Sequence, residues 1–283
     1  MFDLQLIALN IIAPLSLLLL YLVVFWLSKW TANKVTSYNI NTEISEKHNR
    51  AVALSLSGYL IAVTIIFCSV LIGPSRGIVD DLRLVGIYAV IGIVLLNIAR
   101  VVNDKLILYK FHNKAELVDD QNEGTGAVIA GSFIASGLIV AGAVHGEGGG
   151  MGTTLAFFVI GQLGLILFSK VYNLITPYDI HDEIEKNNIA AGVAFGGTLV
   201  ALGIILMNAT LGNFVSWSES LSYFAFVLLG ALIVLPLFRC IMDKCLIPHY
   251  DLNHEIHNNQ NISAGILEFV MTVCFASIIF FVI

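Results

Sequence analysis

The stretch Asp182–Gly197 reads DEIEKNNIAAGVAFGG, and its reading decides the fold. An acidic, polar run ends at Asn188. It passes at once into a run of small residues, with Ala190, Gly192, Gly196 and Gly197 spaced along it. An apolar span of membrane length follows. The same passage from polar to small to apolar occurs at four places, near Asn49, Asn122, Asn188 and Asn261. Asn is a favoured helix cap. Small residues about four apart share a helix face and let two backbones approach closely in lipid. Each place therefore reads as the point where a loop becomes a packed membrane helix.

Composition agrees. The 283 residues are 58% apolar and only 12% charged, with a mean hydropathy of +0.88. That is too little charge to wet the surface of a soluble protein of this size. Eight apolar segments stand at about 6–27, 51–73, 83–103, 124–145, 153–175, 189–209, 220–242 and 262–283. Each is near the ~20 residues a helix needs to cross ~30 Å of hydrocarbon. Backbone groups must pair internally in lipid, so the predicted class is all-α: a polytopic membrane protein of eight helices in four two-helix repeats. The segment from Leu6 to Leu27 lacks a basic region before it and a small-residue cleavage site after it, and reads as a retained span. Pro14 and Pro236 inside spans predict kinks. Cys68, Cys240, Cys245 and Cys274 are expected as small buried hydrophobes, with no disulfide framework.

Basic residues set the orientation. Lys29, Lys34, Lys47, Arg50, Arg100, Lys105, Lys110, Lys114, Lys170, Lys186, Arg239 and Lys244, twelve of the fourteen, flank segments 28–50, 100–123, 170–188 and 239–261. The positive-inside rule puts those segments in the cytoplasm and both termini outside. The other connections, 146–152 (GEGGGMG) and 210–219, are short. The glycine run follows no strand and carries no lysine, so it reads as a flexible linker and not a phosphate cradle.

The repeat is explicit. Arg100, Asp104, Lys105, Glu116 and Asn122 recur as Arg239, Asp243, Lys244, Glu255 and Asn261, each 139 positions later. The halves, 1–147 and 148–283, therefore read as two four-helix units. Within each half the pattern repeats again. Four residues after the asparagines stand Ala53, Gly126, Gly192 and Gly265; nine after them stand Gly58, Gly131, Gly197 and, out of pattern, Val270. Gly58, Gly126, Gly131, Gly192, Gly197 and Gly265 are the expected helix-packing positions. The even-numbered spans are predicted to be inner helices and the odd ones lipid-facing. Parallel repeats permit a pseudo-fourfold ring or two halves side by side.

With these residues in place, the chain resembles the YjfL-like family of bacterial inner-membrane proteins, a domain of unknown function. The resemblance rests on Asp104-Lys105-Leu106-Ile107-Leu108, on Asp243-Lys244-Cys245-Leu246-Ile247-Pro248, and on the Glu-Ile…Asn…Ala-x-Gly approach to the following span. The family unit is about half this length, so the chain looks like two units fused. Tyr109 departs from the pattern, standing where the second copy has Pro248. The resemblance implies a bacterial inner membrane and association with envelope-stress systems. It implies no reaction and no cofactor.

Candidate chemistry is sparse. Glu268 lies two turns into the last span, where a carboxylate faces either a partner or water. It reads as a proton or cation site, or as the partner of a base such as Arg239 or Lys244. Its equivalents Leu56, Ile129 and Phe195 are apolar, which excludes a ring of four carboxylates. Asn49, Asn122, Asn188 and Asn261 with Glu43, Glu116, Glu183 and Glu255 could ring a cation-attracting mouth; helix capping is the preferred reading. His254 and His257, with His249 nearby, hint at a metal, but the spacing matches no zinc motif, and no catalytic triad spacing occurs. The expected surroundings are the lipid bilayer and protein partners at the four long segments, with a second copy of the chain a further candidate. No nucleic acid is expected, because the basic residues lie along membrane edges. A non-enzymatic scaffold is the preferred function, with a channel or small-solute transporter as the alternative.

Overall fold

The computed structural model describes residues 8–72, 75–145, 150–246 and 251–283. Eight of its helices are long and apolar enough to cross a membrane. In chain order the helices are α1 (Ala13–Val35), α2 (Ile40–Ser45), α3 (Arg50–Leu71), α4 (Ile78–Val102), α5 (Asn113–Val118), α6 (Glu123–Val144), α7 (Met151–Ile175), α8 (Ile180–Glu185), α9 (Ile189–Thr210), α10 (Trp217–Leu246), α11 (Leu252–His257) and α12 (Ile262–Val282). Turns of π-helix, Ala8–Ile12 and Asn103–Ile107, adjoin α1 and α4. The helix of the first span runs on past Lys29 and Trp30 to Val35. Such amphipathic side chains suit the membrane–water boundary. Pro14 sits at the start of α1, directly after the π-helical turn, and α10 continues through Pro236.

The eight spans form two rows. α3, α6, α9 and α12 pack side by side in chain order. Behind them α4 lies on α3 and α6, α7 on α6 and α9, α10 on α9 and α12, and α1 on α3 and α4. The small residues explain the inner row. Near the loop end Ala51 meets Gly126, Gly124 meets Gly192, and Ala190 meets Gly265. Two turns on, Gly58 meets Ala130, Gly131 meets Gly196, and Gly197 meets Phe269. The same joint is thus made three times. At its centre a Cβ on Gly131 would strike the backbone of Gly196, so only glycine fits there. At the third joint a phenylalanine ring replaces the small residue.

The row is open, which corrects the ring. α3 and α12 stand at opposite ends, and Leu54 and Ile61 at one end and Ile266, Val270 and Ile278 at the other face outward. The inner/outer division by even and odd number is corrected too. In α9, 83% of the apolar window is buried, but in α12 only 22%, the same as in α10. α12 has no fifth repeat to cover it. The cysteines are a third correction: Cys68, Cys240 and Cys274 are exposed. They lie on the outward sides of their helices, where a thiol is apolar enough for lipid. The Cys245 side chain, His249 and linker residues 146–149 lie outside the described residues.

Candidate functional site

The loop end is built from a unit that occurs four times. Each long connection holds a six-residue helix: α2, α5, α8 or α11. Asn39, Asp179 and Asp251 start three of them by accepting backbone N–H bonds. Each connection then turns through one left-handed residue: His48, Gln121, Asn187 or Gln260, with φ between 49° and 59°. The turn delivers the repeated asparagine to the head of the next span. There Oδ1 accepts from the backbone of Val52, Thr125, Ala191 and Ser263 at 3.0, 2.9, 3.1 and 3.0 Å.

The Nδ2 groups make a second set of bonds. Asn49, Asn122, Asn188 and Asn261 donate to Glu43, Glu116, Glu183 and Glu255 at 3.1, 2.6, 2.9 and 3.0 Å. The first three also donate across the row, to the carbonyls of Leu117, Ile184 and Ile256, at 2.7, 2.6 and 2.8 Å. Each of these three asparagines therefore locks its own connection to the next one. No such carbonyl reaches Asn261 among the described residues. Glu43, Glu116 and Glu183 are buried and turned onto these amides. They stand along a line beside the asparagine caps and form a relay of hydrogen bonds.

The carboxylates differ in charge environment. Burial pushes the Glu116 carboxyl up, and the Asn122 amide offsets this only in part. Burial also raises Glu183, but Asn188, Lys186 and His257 together outweigh it and hold the carboxyl below its ordinary value. His257 Nδ1 lies 3.2 Å from Glu183 Oε2, and its ring stacks on Tyr178 at 4.8 Å. His254 is exposed. No three metal-ligating side chains converge among the described residues.

Glu268 is only 2% exposed and faces Arg239, which is 9% exposed. Arg239 donates through Nε to Oε1 at 2.7 Å and through Nη2 to Oε2 at 3.4 Å. The Tyr172 hydroxyl donates to Oε1 at 2.8 Å, and the guanidinium lies 5.5 Å from the Tyr172 ring centre. Nη2 also donates to Asn253 Oδ1 at 2.8 Å. One ion pair thus ties α7, α10, α11 and α12 together. The crevice beside it, lined by Phe168, Pro236 and Thr272 among others, has no room for a water molecule. Two cavities of about 160 and 620 Å³ meet around His145 and Tyr88 at the opposite end, and they share no lining residue with that crevice. A buried carboxylate held by arginine and tyrosine braces the helices that carry them.

The first half carries the same arginine without the acid. Asn33 and Asn173 both accept from the backbone seven residues on, at Ile40 and Ile180, which fixes the register there at 140. In that register Ala32 stands for Tyr172; at 139, Arg100 stands for Arg239, Ile129 for Glu268 and Lys114 for Asn253. Arg100 instead lies 5.7 Å from the Tyr59 ring centre and 5.5 Å from that of Phe133. Its Nη1 is buried with no hydrogen-bond partner among the described residues. Sequence reasoning missed Tyr172, Tyr59 and this arginine site. The available signal was the retention of arginine at both ends of the 139-residue offset while the acid appears once.

Comparison with known proteins adds the following. The family model described as Domain of Unknown Function (DUF350) matches twice, over residues 5–144 and 148–283. The chain is 34% identical over 125 residues to the UPF0719 inner membrane protein YjfL of Escherichia coli (strain K12), covering 44% of this chain and 86% of that one. It is 27% identical over 123 residues to the UPF0719 transmembrane protein YshE of Bacillus subtilis (strain 168), covering 42% and 83%. A UPF0719 transmembrane protein of Aquifex aeolicus (strain VF5) is 22% identical over 240 residues, covering 81% and 84%. No solved structure matches.

Proposed function

The chain belongs to the DUF350 family and carries its unit twice, and from that premise we propose that it is a non-catalytic scaffold of a bacterial inner membrane. Its four connections lie in the cytoplasm and dock a protein partner of a membrane-maintenance system. The observation that carries this reading is the asparagine relay. Bonds from Asn49, Asn122 and Asn188 to Leu117, Ile184 and Ile256 hold four loop segments in one fixed line. A fixed line of similar segments offers a partner a pre-ordered surface and lowers the ordering cost of binding. Conduction is the weaker reading, because the inner helices meet at glycine distance and Glu268 is buried and neutralised by Arg239. Self-association has its natural place at the open end of the line. Among the described residues, Asn261 meets no carbonyl there, and Ile44, which holds the matching position in the first repeat, receives no asparagine bond.

Photo-crosslinking in cells tests the reading. Probes at the exposed positions Lys47, Lys114, Lys186 and His254 are expected to trap one and the same protein. Asn122→Ala, which cuts the relay at its centre, is expected to weaken all four crosslinks. Different proteins at each position, or ion flux through liposomes that depends on the chain, would overturn the scaffold.

A further inference from the structure

We propose that the first half binds a short carboxylate beside Arg100, in the place that the Glu268 side chain fills in the second half. The two arginines occupy the same position in a repeated frame, and each lies against aromatic rings. In the second half two acceptors complete the guanidinium: the Glu268 carboxylate and the Asn253 amide. In the first half those positions are Ile129 and Lys114, an apolar group and a second cation. The acceptor is missing and the positive charge is increased.

Space replaces it. A cavity of about 130 Å³ lies beside Arg100, bounded also by Ser55, Asn113, Lys114 and Ile129. In the second half the Glu268 carboxylate stands where Ile129 borders this cavity. Among the described residues, two buried polar atoms of the lining residues have no hydrogen-bond partner: Arg100 Nη1, a donor, and Asn113 Oδ1, an acceptor. Asn113 is only 5% exposed. Orphaned groups at this depth are rare unless something completes them. A guanidinium matches a carboxylate by geometry as well as charge.

The wall also contains Asp104, which selects among anions. Its Oδ1 accepts from Asn113 Nδ2 at 2.8 Å, as its counterpart Asp243 accepts from the Leu252 backbone at 2.7 Å. The carboxylate at this position therefore serves the short helix in both halves, and Asp104 makes no hydrogen bond to Arg100 among the described residues. Its charge disfavours a dianion such as phosphate. The Asn113 carbonyl oxygen favours a ligand that also carries a donor. A 2-hydroxy or 2-amino carboxylate meets both conditions. The same group could arrive free or as the serine headgroup of a lipid.

The test uses the full chain in neutral detergent at constant ionic strength, with lactate as the free probe. Tenfold over its Kd, lactate is expected to raise the unfolding midpoint by about 3 °C. Inorganic phosphate is expected to give no rise. Arg100→Gln should abolish the lactate effect. Ile129→Glu should abolish it too while keeping the fold, since it supplies an internal carboxylate. Discs of phosphatidylserine against phosphatidylcholine separate the sources. A rise in phosphatidylserine that lactate no longer adds to assigns a lipid, and a lactate response equal in both assigns a free solute. Equal midpoints for wild type, Arg100→Gln and Ile129→Glu with every probe would overturn the proposal.

Discussion

The two halves share a frame and differ in how they treat one charge. In the second half Arg239 is completed by Glu268, Tyr172 and Asn253, and no water fits beside the pair. In the first half Arg100 rests on Tyr59 and Phe133 next to a cavity, with one nitrogen unpaired. Even the aromatic changes helix. The pair is Ala32 and Tyr59 in one half, Tyr172 and Thr198 in the other, so the ring moves from the inner row to the outer. The difference teaches that duplication preserved the backbone joints while releasing the side chains around a buried cation. One copy is braced and the other has an opening.

The largest effect expected is at the brace. Glu268→Ala leaves Arg239 buried and uncompensated, and about 3–5 kcal/mol of stability should be lost. Arg100→Ala removes ring contacts, packing and a charge near Asp104 but breaks no ion pair, and about 1–2 kcal/mol is expected. Unfolding of the purified chain in mixed micelles measures both. Similar losses from the two would erase the distinction between the halves. Replacing Arg239 and Glu268 together by leucine should recover much of the loss, because a buried ion pair contributes little beyond mutual compensation.

The joint between the halves comes next. Gly131→Ala drives a methyl into the Gly196 backbone, and a loss of about 1–3 kcal/mol is expected. Gly230→Ala in α10 meets nothing within 4 Å and should gain up to about 1 kcal/mol from helix propensity. The same unfolding series decides; a harmless Gly131→Ala would mean the backbones are not in contact there.

The relay offers a smaller contrast. Asn122→Ala removes a cap and leaves the Glu116 carboxylate and Ile184 carbonyl without their donor; about 2–3 kcal/mol is expected. Asn261→Ala, at the open end, should lose only about 1 kcal/mol. Finding the two equal would show that the bond across the row adds nothing.

Acid titration gives the smallest effect. Glu183 is held below the ordinary glutamate value of 4.5, so its contribution is present above that value and is lost as pH falls through the folded one. Glu116 lies above 4.5, so its protonation in the fold adds stability as pH falls toward that value. Glu183→Gln should therefore flatten the fall of the unfolding midpoint between pH 6 and about 3, and Glu116→Gln should steepen it. Parallel curves for both variants would contradict the opposite shifts.

Much of the fold was legible because its cause is local and repeated. Apolar length marks the eight spans, and asparagine followed by small residues marks four helix starts and their packing faces. The open row was not legible. A repeat specifies how neighbours pack, and the same joint is compatible with a ring until the helices have positions in space. Only Val270, in place of a late glycine, hinted that the last helix differs. The short helices were hidden because six residues carry too little periodicity to read. Glu268 was legible as a charge in an apolar span. Its resolution by Tyr172, 96 residues away, was not, since a lone tyrosine near a span end has an ordinary boundary role as well.

The most direct test moves the carboxylate. Ile129→Glu in the full-length chain places an acid where Glu268 stands in the other half, opposite Arg100. Leu56→Glu places one at the same register in α3. If Arg100 is an arginine awaiting its acid, Ile129→Glu should unfold within about 1 kcal/mol of wild type, or later, while Leu56→Glu loses several kcal/mol. Equal, large losses from both would contradict the reading that the two halves differ by one missing carboxylate.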